Sequence, residues 1–266
     1  MNARLAAIYV YPLKSARGIA LSEGVLSANG LQHDRCFMLV DAQGEFVSQR
    51  ETGRMARLTT AIHGDDLHVS CGDQGPFVVA LNPRTGAPRR VRIWDDEVDA
   101  LDIGDEAASF FSAQLGFGVR LVFMPETNLR QVDTRFAEPG DRVGFADAFP
   151  YLLGSEASLA DLDARLSEPV PMSRFRPNLV LSGAPAYAED GWSSIRIGEA
   201  TFELRKPSSR CVTINTDQET GERVGKEPLA TLASYKTWRQ KAVFFQNVVC
   251  RGGGLVRVGD SVVVLT

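Results

Sequence analysis

The chain has few histidines and no paired cysteines, which argues against several common kinds of metal and disulfide site. Its three histidines, at positions 33, 63 and 68, form neither an HExxH motif nor a Cys/His zinc spacing. The four cysteines lie at positions 36, 71, 211 and 250, and no two of them form a CxxC pair. Since we find no signal peptide at the amino terminus, we expect reduced thiols and a cytoplasmic protein.

Motifs for nucleotide binding and for serine hydrolase chemistry are missing as well. There is no GxGxxG after a strand, no Gly-rich loop ending in Gly-Lys-Ser/Thr, and no GxSxG elbow. A Cys–His hydrolase stays open as a hypothesis, because such pairs meet in space rather than in sequence. Only His33 lies in a loop that would suit that role.

Neither a membrane span nor a nucleic-acid partner is expected. No apolar run reaches the roughly 18–20 residues that cross a bilayer. The net charge of the 266-residue chain is -4, which does not favour binding to a polyanion. Eight cationic residues nevertheless fall in a few short loop-like segments: Lys14, Arg17, Arg35, Arg174, Arg176, Arg205, Lys206 and Arg210. They indicate either a pocket for a small anion or separate solvated surface charges.

Cys211 lies in the stretch that distinguishes this sequence, residues 205–213. An alternating strand over residues 194–204 precedes it, and we expect Pro207 and the two serines after it to end that strand. Cys211 then falls in a polar loop beside Arg210. A cationic neighbourhood favours the thiolate, which attacks electrophiles or binds a soft metal. A small buried residue at the start of a strand is the alternative interpretation.

Short strands dominate the hydrophobic pattern, and two or three helices accompany them. Residues 5–11 alternate as a strand, whereas residues 105–115 and 155–166 repeat apolar positions at helical spacing. The pattern predicts an α+β protein rich in β-barrel structure. A polar stretch with breakers divides the sequence near residue 125.

Several segments share a family pattern in the right order along the chain. In the second half they are residues 155–162, 174–178, 187–192, 209–213, 220–222, 226–232, 245–247 and 258–262. These segments resemble the MOSC domain, the molybdenum-cofactor carrier module. Residues 9–15 and 30–35 are similar to the β-barrel segment that precedes MOSC in one subfamily. Within the family, the chain resembles the mitochondrial amidoxime-reducing component and the bacterial YcbX-type proteins.

The resemblance implies a domain organisation. Residues 1–124 would form a MOSC N-terminal β-barrel-like region, and residues 125–266 the MOSC molybdenum-cofactor domain. Because residues 14–35 must meet Cys211, we expect residues 1–36 to pack into the second domain. An inserted middle domain, over about residues 37–125, is the alternative. The fold expected is α+β, with a MOSC-type β-barrel, a few flanking helices and a smaller β-rich N-terminal or inserted domain.

The family's cofactor is molybdopterin carrying molybdenum, and its protein ligand is a single cysteine. The matching residue here is Cys211. Asp147 matches a carboxylate near the open metal position and would deliver protons. The phosphate of the pterin is a dianion, which would explain a basic pocket in an acidic chain. The residues that the resemblance assigns to the cofactor are Lys14, Ser15 and Arg35 at the phosphate and pterin end, and Arg176, Asn178, Ser209, Arg210 and Thr213 at the pterin or metal side.

The activity implied is reduction of N-hydroxylated compounds such as amidoximes, hydroxylamines and N-hydroxylated bases. YcbX-type chains often continue into a ferredoxin-like domain, whereas this sequence stops at Thr266. We therefore expect electrons from a separate ferredoxin, flavoprotein reductase or cytochrome-type carrier. The membrane-anchoring segment of the mitochondrial relatives is also missing, so no membrane partner is expected. A non-catalytic carrier of the cofactor or of sulfur, and a plain β-barrel binding protein with a structural Cys211, are the other hypotheses.

Overall fold

A computed structural model describes residues 2–27, 29–72, 74–223 and 225–266. The strands of the first half are β1 (Arg4–Val10), β2 (Ile19–Leu21), β3 (Glu23–Ser27), β4 (Gly30–Leu31), β5 (Phe37–Val40), β6 (Thr59–His63), β7 (Asp66–Cys71), β8 (Gln74–Ala80), β9 (Ala87–Ile93), β10 (Asp96–Asp102) and β11 (Arg120–Phe123). Those of the second half are β12 (Arg130–Gln131), β13 (Arg142–Val143), β14 (Tyr151–Ser155), β15 (Leu179–Ser182), β16 (Ser194–Ile197), β17 (Ala200–Ser209), β18 (Thr237–Trp238), β19 (Lys241–Arg251), β20 (Gly254–Arg257) and β21 (Val262–Val264). The α-helices are α1 (Asp105–Leu115), α2 (Glu156–Asp163) and α3 (Leu229–Tyr235).

The largest sheet takes strands from both ends of the chain. Its order is β2-β1-β15-β14-β19-β17-β16-β21, and β18 also pairs with β19. Residues 259–262 hydrogen-bond to Ala3 and Leu5, and Arg4 forms an isolated bridge with Ser261. The ends of the sheet thus approach each other without forming a regular closed barrel. The prediction of a strand-rich chain with a few helices is confirmed, but a closed barrel is not what the described strands form.

The other sheets separate into two groups along the chain. A three-stranded sheet, β20-β3-β4, joins residues 23–31 to a strand near the carboxyl terminus. By contrast, β5-β11-β10-β9 and β6-β7-β8 pair strands only from residues 37–123. The first 31 residues therefore pair with strands of the second half, and the following 90 or so residues pair among themselves.

Separate apolar cores support these two groups. One core lies along the largest sheet and includes Leu5, Ile8, Leu153 and Phe202, all fully buried. Another surrounds the helix α1 and includes Phe37 and Leu39 of β5. Burying each side chain of this size contributes about 1.5–3 kcal/mol. Each group of strands is thus held by hydrophobic contacts of its own.

The helix α1 has the bounds that its sequence pattern predicts. Ala107, Phe111 and Leu115 recur every four residues and are buried on one face. Gly116, with φ 84°, ends the helix in the left-handed conformation that glycine adopts without a steric penalty. The helix α2 is shorter than predicted, because it ends at Asp163. Ser155 is its N-cap, and its side chain accepts a hydrogen bond from the amide of Ser158.

The strand β17 is longer than the sequence predicts. It continues through Pro207 to Ser209, so these residues do not end it. Its register against β19 shifts between Leu204 and Lys206 and again between Pro207 and Ser209. Such irregularities accommodate a proline, which cannot donate a ladder hydrogen bond. The extension brings Ser209 opposite Val243 and carries the chain directly to Cys211.

Candidate functional site

A cavity of about 290 Å³ brings together all the residues that the family resemblance assigned to the cofactor site. On its wall lie Lys14, Ser15, Arg35, Asp147, Arg176, Asn178, Ser209, Arg210, Cys211 and Thr213. Among the described residues of the wall, seven side chains are cationic and Asp147 alone is acidic. In a chain of net charge -4, this concentration of positive charge suits an anionic ligand.

Cys211 sits at the point where β17 gives way to a short 3-10 helix, Val212–Asn215. The preceding amide, that of Arg210, donates to the carbonyl oxygen of Ala242 at 2.8 Å and fixes the turn. The Cys211 sulfur lies 3.2 Å from the hydroxyl oxygen of Thr213. Partial burial acts to raise the pKa of the thiol, but hydrogen bonds with Thr213 and Arg50 lower it below the ordinary value. The site therefore favours a thiolate.

Arg50 is a cavity residue that the sequence did not reveal. It lies in the connection after β5, and its guanidinium stacks 4.1 Å from the centre of the Trp94 ring. Trp94 follows β9 and comes from a hairpin turn more than 100 residues before Cys211. No spacing in the sequence links these three residues, because their contact depends on how the middle strands pack against the second half.

Lys14 and Asp147 form an ion pair at one side of the cavity. Lys14 is 5% exposed, and its ammonium donates to Asp147 Oδ1 at 2.5 Å and to the carbonyl oxygen of Phe145 at 2.8 Å. Burial lowers the pKa of Lys14, and Asp147 opposes that effect. Partial enclosure in the cavity acts to raise the pKa of Asp147, but Lys14 outweighs it and lowers that pKa. Asp147, whose side chain is 66% exposed, is therefore an ionised carboxylate.

Two guanidinium groups lie against the ring of Tyr11. Arg35 is 4.2 Å and Arg176 is 4.3 Å from its centre. Arg35 also donates to Asp34 at 2.6 Å and to Asn178 Oδ1 at 3.0 Å. Arg35 thus forms a local ion pair with its neighbour Asp34 and lines the cavity as well. Burial, helped by Arg35, lowers the pKa of Arg176 to about 10, which still leaves it charged at neutral pH.

Several residues of the same wall have a strained backbone. Ser15, Arg35, Trp94 and Arg176 all have positive φ angles, between 47° and 69°. For residues other than glycine, such conformations cost on the order of 1–3 kcal/mol each and persist where the surrounding structure requires them. Four of them around one cavity indicate that the fold holds these side chains in place for a function.

Two further arginines present donors that no group of the described residues satisfies. Arg210 donates to Ser208 Oγ at 3.1 Å and to the carbonyl oxygen of Phe175 at 2.8 Å, and Arg174 pairs with Asp217 at 3.3 Å. Each nevertheless keeps a buried Nε that meets no partner among the described residues. Burial lowers the pKa of Arg210 to about 10, so it stays cationic. Unsatisfied buried donors beside a cavity are suited to a bound anion.

Other kinds of site find no support within the described residues. No histidine lines the cavity, so Cys211 has no imidazole partner there and the Cys–His hydrolase hypothesis fails at this site. Groups of three or more His, Cys, Asp or Glu side chains that could hold a metal ion are likewise missing from the described chain. None of the described helices has the length and apolar character needed to cross a bilayer.

Comparison with known proteins assigns both halves of the chain to families. Residues 2–117 match the MOSC N-terminal beta barrel domain, and residues 140–263 match the MOSC domain. Mitochondrial amidoxime-reducing component 1 from Homo sapiens is 33% identical, over 98% of this chain and 82% of that protein. The Mus musculus protein of the same name is 32% identical over the same shares. Molybdenum cofactor sulfurase from Oryza sativa subsp. japonica is 30% identical over 90% of this chain, but over only 32% of its own length.

A solved structure, the YUAD protein from Bacillus subtilis, aligns over 98% of this chain and 94% of its own, with 10% identity and a TM-score of 0.42. That likeness is too weak to bear on the fold. The sequence relatives decide the family, because the identity extends over nearly the whole of this chain. The chain belongs to the MOSC-domain proteins with a MOSC N-terminal β-barrel domain, and it is homologous to the mitochondrial amidoxime-reducing components.

Proposed function

We propose that this protein is a molybdenum-cofactor-dependent reductase of N-hydroxylated compounds, with Cys211 as the protein ligand of the metal. The observation that carries the proposal is a thiol with a lowered pKa on the wall of a cavity that also holds seven cations. Relatives that cover 98% of the chain are named amidoxime-reducing components. A thiolate is the ligand type that soft metal centres prefer.

The residues of the cavity fit such a cofactor. Its phosphate would find a lysine and several guanidinium groups, and the unpartnered Nε donors of Arg174 and Arg210 match acceptors on a bound anion. We assign Lys14, Ser15 and Arg35 to the phosphate and pterin end, and Arg176, Asn178, Ser209, Arg210 and Thr213 to the pterin or metal side. When bound, the cofactor would supply two-electron redox chemistry at its metal, which the thiolate of Cys211 would hold.

The reaction for a hydroxylamine balances as R–NHOH + 2e⁻ + 2H⁺ → R–NH₂ + H₂O. The N–O bond breaks, nitrogen gains a proton and the oxygen leaves as water. Asp147 is ionised, exposed to the cavity and hydrogen-bonded to Lys14. In this arrangement it does not hold a proton at neutral pH, so we assign it the role of a relay that takes a proton from water and passes it on. Trp94 and Phe149 give the wall apolar surfaces against which a planar substrate can pack.

We assign the supply of electrons to a separate protein, a ferredoxin, a flavoprotein reductase or a cytochrome-type carrier. Two observations support this choice. The relatives are named amidoxime-reducing components, and the word component fits a protein that works together with others. Both Ser209 and Asp147 on the cavity wall are exposed, so an external donor can come close to the site.

The experiment is a turnover assay on protein purified from a host that makes the cofactor. With reduced methyl viologen as donor, we expect reduction of benzamidoxime to benzamidine. With NADH alone we expect no turnover. If cofactor-loaded protein reduces neither benzamidoxime nor hydroxylamine, the reductase proposal is wrong. A carrier of the cofactor or of sulfur, favoured by the similarity to a molybdenum cofactor sulfurase, would then take its place.

A further inference from the structure

A cluster of cations and aromatic rings borders the Cys211 cavity. We name it the rim cluster and define it by six residues: Arg135, Phe136, Lys206, Trp238, Arg239 and Lys241. The ammonium of Lys206 lies 4.4 Å from the centre of the Phe136 ring. The guanidinium of Arg239 lies 4.4 Å from the Trp238 ring and 5.3 Å from Phe136. The rings of Phe136 and Trp238 are 6.0 Å apart, so these two rings form one contiguous surface with Lys206 and Arg239.

The rim cluster is connected to Cys211 by a short path. Lys206 belongs to the cavity wall itself. Lys241 precedes Ala242, whose carbonyl oxygen accepts the 2.8 Å hydrogen bond from the amide of Arg210. Arg210 in turn precedes Cys211. One hydrogen bond and a few covalent bonds therefore separate the basic hairpin between β18 and β19 from the thiol.

The charge of the rim cluster is largely unneutralised. Arg135, Arg239 and Lys241 are exposed, and neither Arg239 nor Lys241 forms an ion pair with any described residue. Asp133, which pairs with Arg135 at 2.6 Å, is the acidic side chain in contact with the cluster. Burial lowers the pKa of Lys206, Asp133 opposes that effect, and Arg135, Lys241 and Arg239 add to it. The four cations thus act on one another at close range, within a chain whose net charge is -4.

The backbone holds the tip of this hairpin in an unfavourable conformation. Arg239 and Gln240, the two residues between β18 and β19, have φ angles of 47° and 63°. A two-residue turn with two positive φ angles normally contains Asn and Gly. Keeping an arginine at the tip costs conformational energy, and observed strain of this kind points to a functional role for the residue.

We propose that the rim cluster is the docking surface for an acidic one-electron carrier protein that reduces this site. The inference rests on the proposed function and adds the place and the charge of the donor. Exposed cations steer an acidic partner towards the cavity, while Phe136 and Trp238 give it half-buried apolar contacts. Small, salt-sensitive interfaces of this kind are typical of redox encounters. Each turnover needs two dockings, because each carrier gives up one electron and leaves oxidised.

The test compares the cofactor-loaded protein with the double variant Arg239→Glu/Lys241→Glu. The donor is a plant-type acidic [2Fe–2S] ferredoxin kept reduced by its NADPH-dependent reductase. We expect the double variant to raise the KM for ferredoxin at least tenfold, while the rate with reduced methyl viologen stays within twofold. Arg196→Glu, an exposed residue of β16 outside the cavity wall, is the matched control and should change neither value.

Two outcomes would overturn the docking surface: an unchanged KM for ferredoxin in the double variant, or an equal rise of KM in the Arg196→Glu control. If the double variant loses binding to a single-stranded oligonucleotide while its KM for ferredoxin is unchanged, the rim cluster binds nucleic acid instead. If no variant and no parent protein turns over with viologen, the reductase proposal fails. Titration calorimetry of ferredoxin binding at low salt then still tests the surface, with at least tenfold weaker binding expected for the double variant.

Discussion

Cys211 differs from the thiols of Cys36 and Cys250 because of the groups that surround it. Burial raises the pKa of Cys36, with Asp34 adding to it, and burial raises the pKa of Cys250 to about 11. Cys211 is also partly buried, but Thr213 and Arg50 reverse the direction of the change. A thiol that its neighbours hold towards the ionised form is the one able to bind a soft metal.

At the residue scale we predict that Lys14→Ala weakens retention of the cofactor. A charge-assisted hydrogen bond contributes about 1.5–3 kcal/mol, so occupancy should fall roughly tenfold or more when the cofactor is limiting. The measurement is the molybdopterin content after gel filtration. Because Asp147 is 66% exposed, removing its partner leaves no buried charge, and the fold should survive. Lys226→Ala, at an exposed lysine outside the cavity wall, is the control. Equal losses of molybdopterin from Lys14→Ala and Lys226→Ala would contradict the assignment of Lys14 to the phosphate of the cofactor.

Sequence reasoning reached the cavity residues unevenly. Lys14, Arg35, Arg176 and Cys211 belong to short motifs, so their common location could be expected before the structure. Arg50, Trp94 and Arg174 were not assigned to the site, although Arg174 had been noticed as a basic loop residue. The first two reach the cavity only because the strands of residues 37–123 pack beside the second half, and such packing leaves no periodic signal in the sequence.

At the element scale, local patterns predicted some elements and failed for others. The helix α1 carries its own apolar face and its own stop signal at Gly116, so its bounds follow from the sequence. The end of β17 depends instead on hydrogen bonds from β19, which override the tendency of Pro207 to end a strand. The helix α3 went unpredicted, since its seven residues are too few for a clear helical period.

A buried carboxyl group beside α2 gives a prediction about stability and pH. Glu189 is 1% exposed, accepts from Ser158 Oγ at 2.7 Å, and keeps Oε2 without a described partner. Burial raises its pKa above the ordinary value of 4.5, although Ser158 opposes that change. The native state therefore keeps a proton that the unfolded state releases. Stability from this group is greatest below pH 4.5 and declines as pH rises towards the folded-state pKa.

We expect Glu189→Gln to reduce the loss of stability between pH 5 and pH 8. Raising the pKa of a carboxyl group by one unit corresponds to about 1.4 kcal/mol of stability. The change in the free energy of unfolding is therefore measurable by urea unfolding at each pH. Glu156→Gln, at an exposed position of the same helix region, serves as the comparison and should leave the pH dependence as it is. Indistinguishable pH profiles for Glu189→Gln and the parent protein would show that Glu189 is ionised in the native state.

At the scale of the whole molecule, the strand pairing suggests an insertion. We propose that residues 1–36 belong structurally with residues 125–266, and that residues 37–125 form an inserted β-rich domain. The support is that β1 pairs with β15 and β3 with β20, whereas the sheets of residues 37–123 pair only among themselves. The inserted domain still contributes Arg50 and Trp94 to the cavity.

This organisation predicts that residues 125–266 do not fold when expressed alone. Such a fragment lacks β1 and β3, which leaves β15 paired with β14 alone, takes from β20 its partner strand, and removes Leu5 and Ile8 from the core. We expect no cooperative thermal transition and strong binding of a hydrophobic dye, in contrast to the full chain. Cooperative melting of the fragment near the temperature of the full chain would contradict the proposed organisation.

The central claim is that this cavity holds a molybdenum cofactor through the thiolate of Cys211. The measurement that tests it most directly is the molybdenum and pterin content of protein purified from a host able to make the cofactor. We predict about one molybdenum and one pterin per chain, and a large loss of molybdenum in Cys211→Ser, because a hydroxyl is a much poorer ligand for this metal. Cys71→Ser should retain the parental content. Parental protein without molybdenum, or Cys211→Ser with the parental amount, would contradict the account.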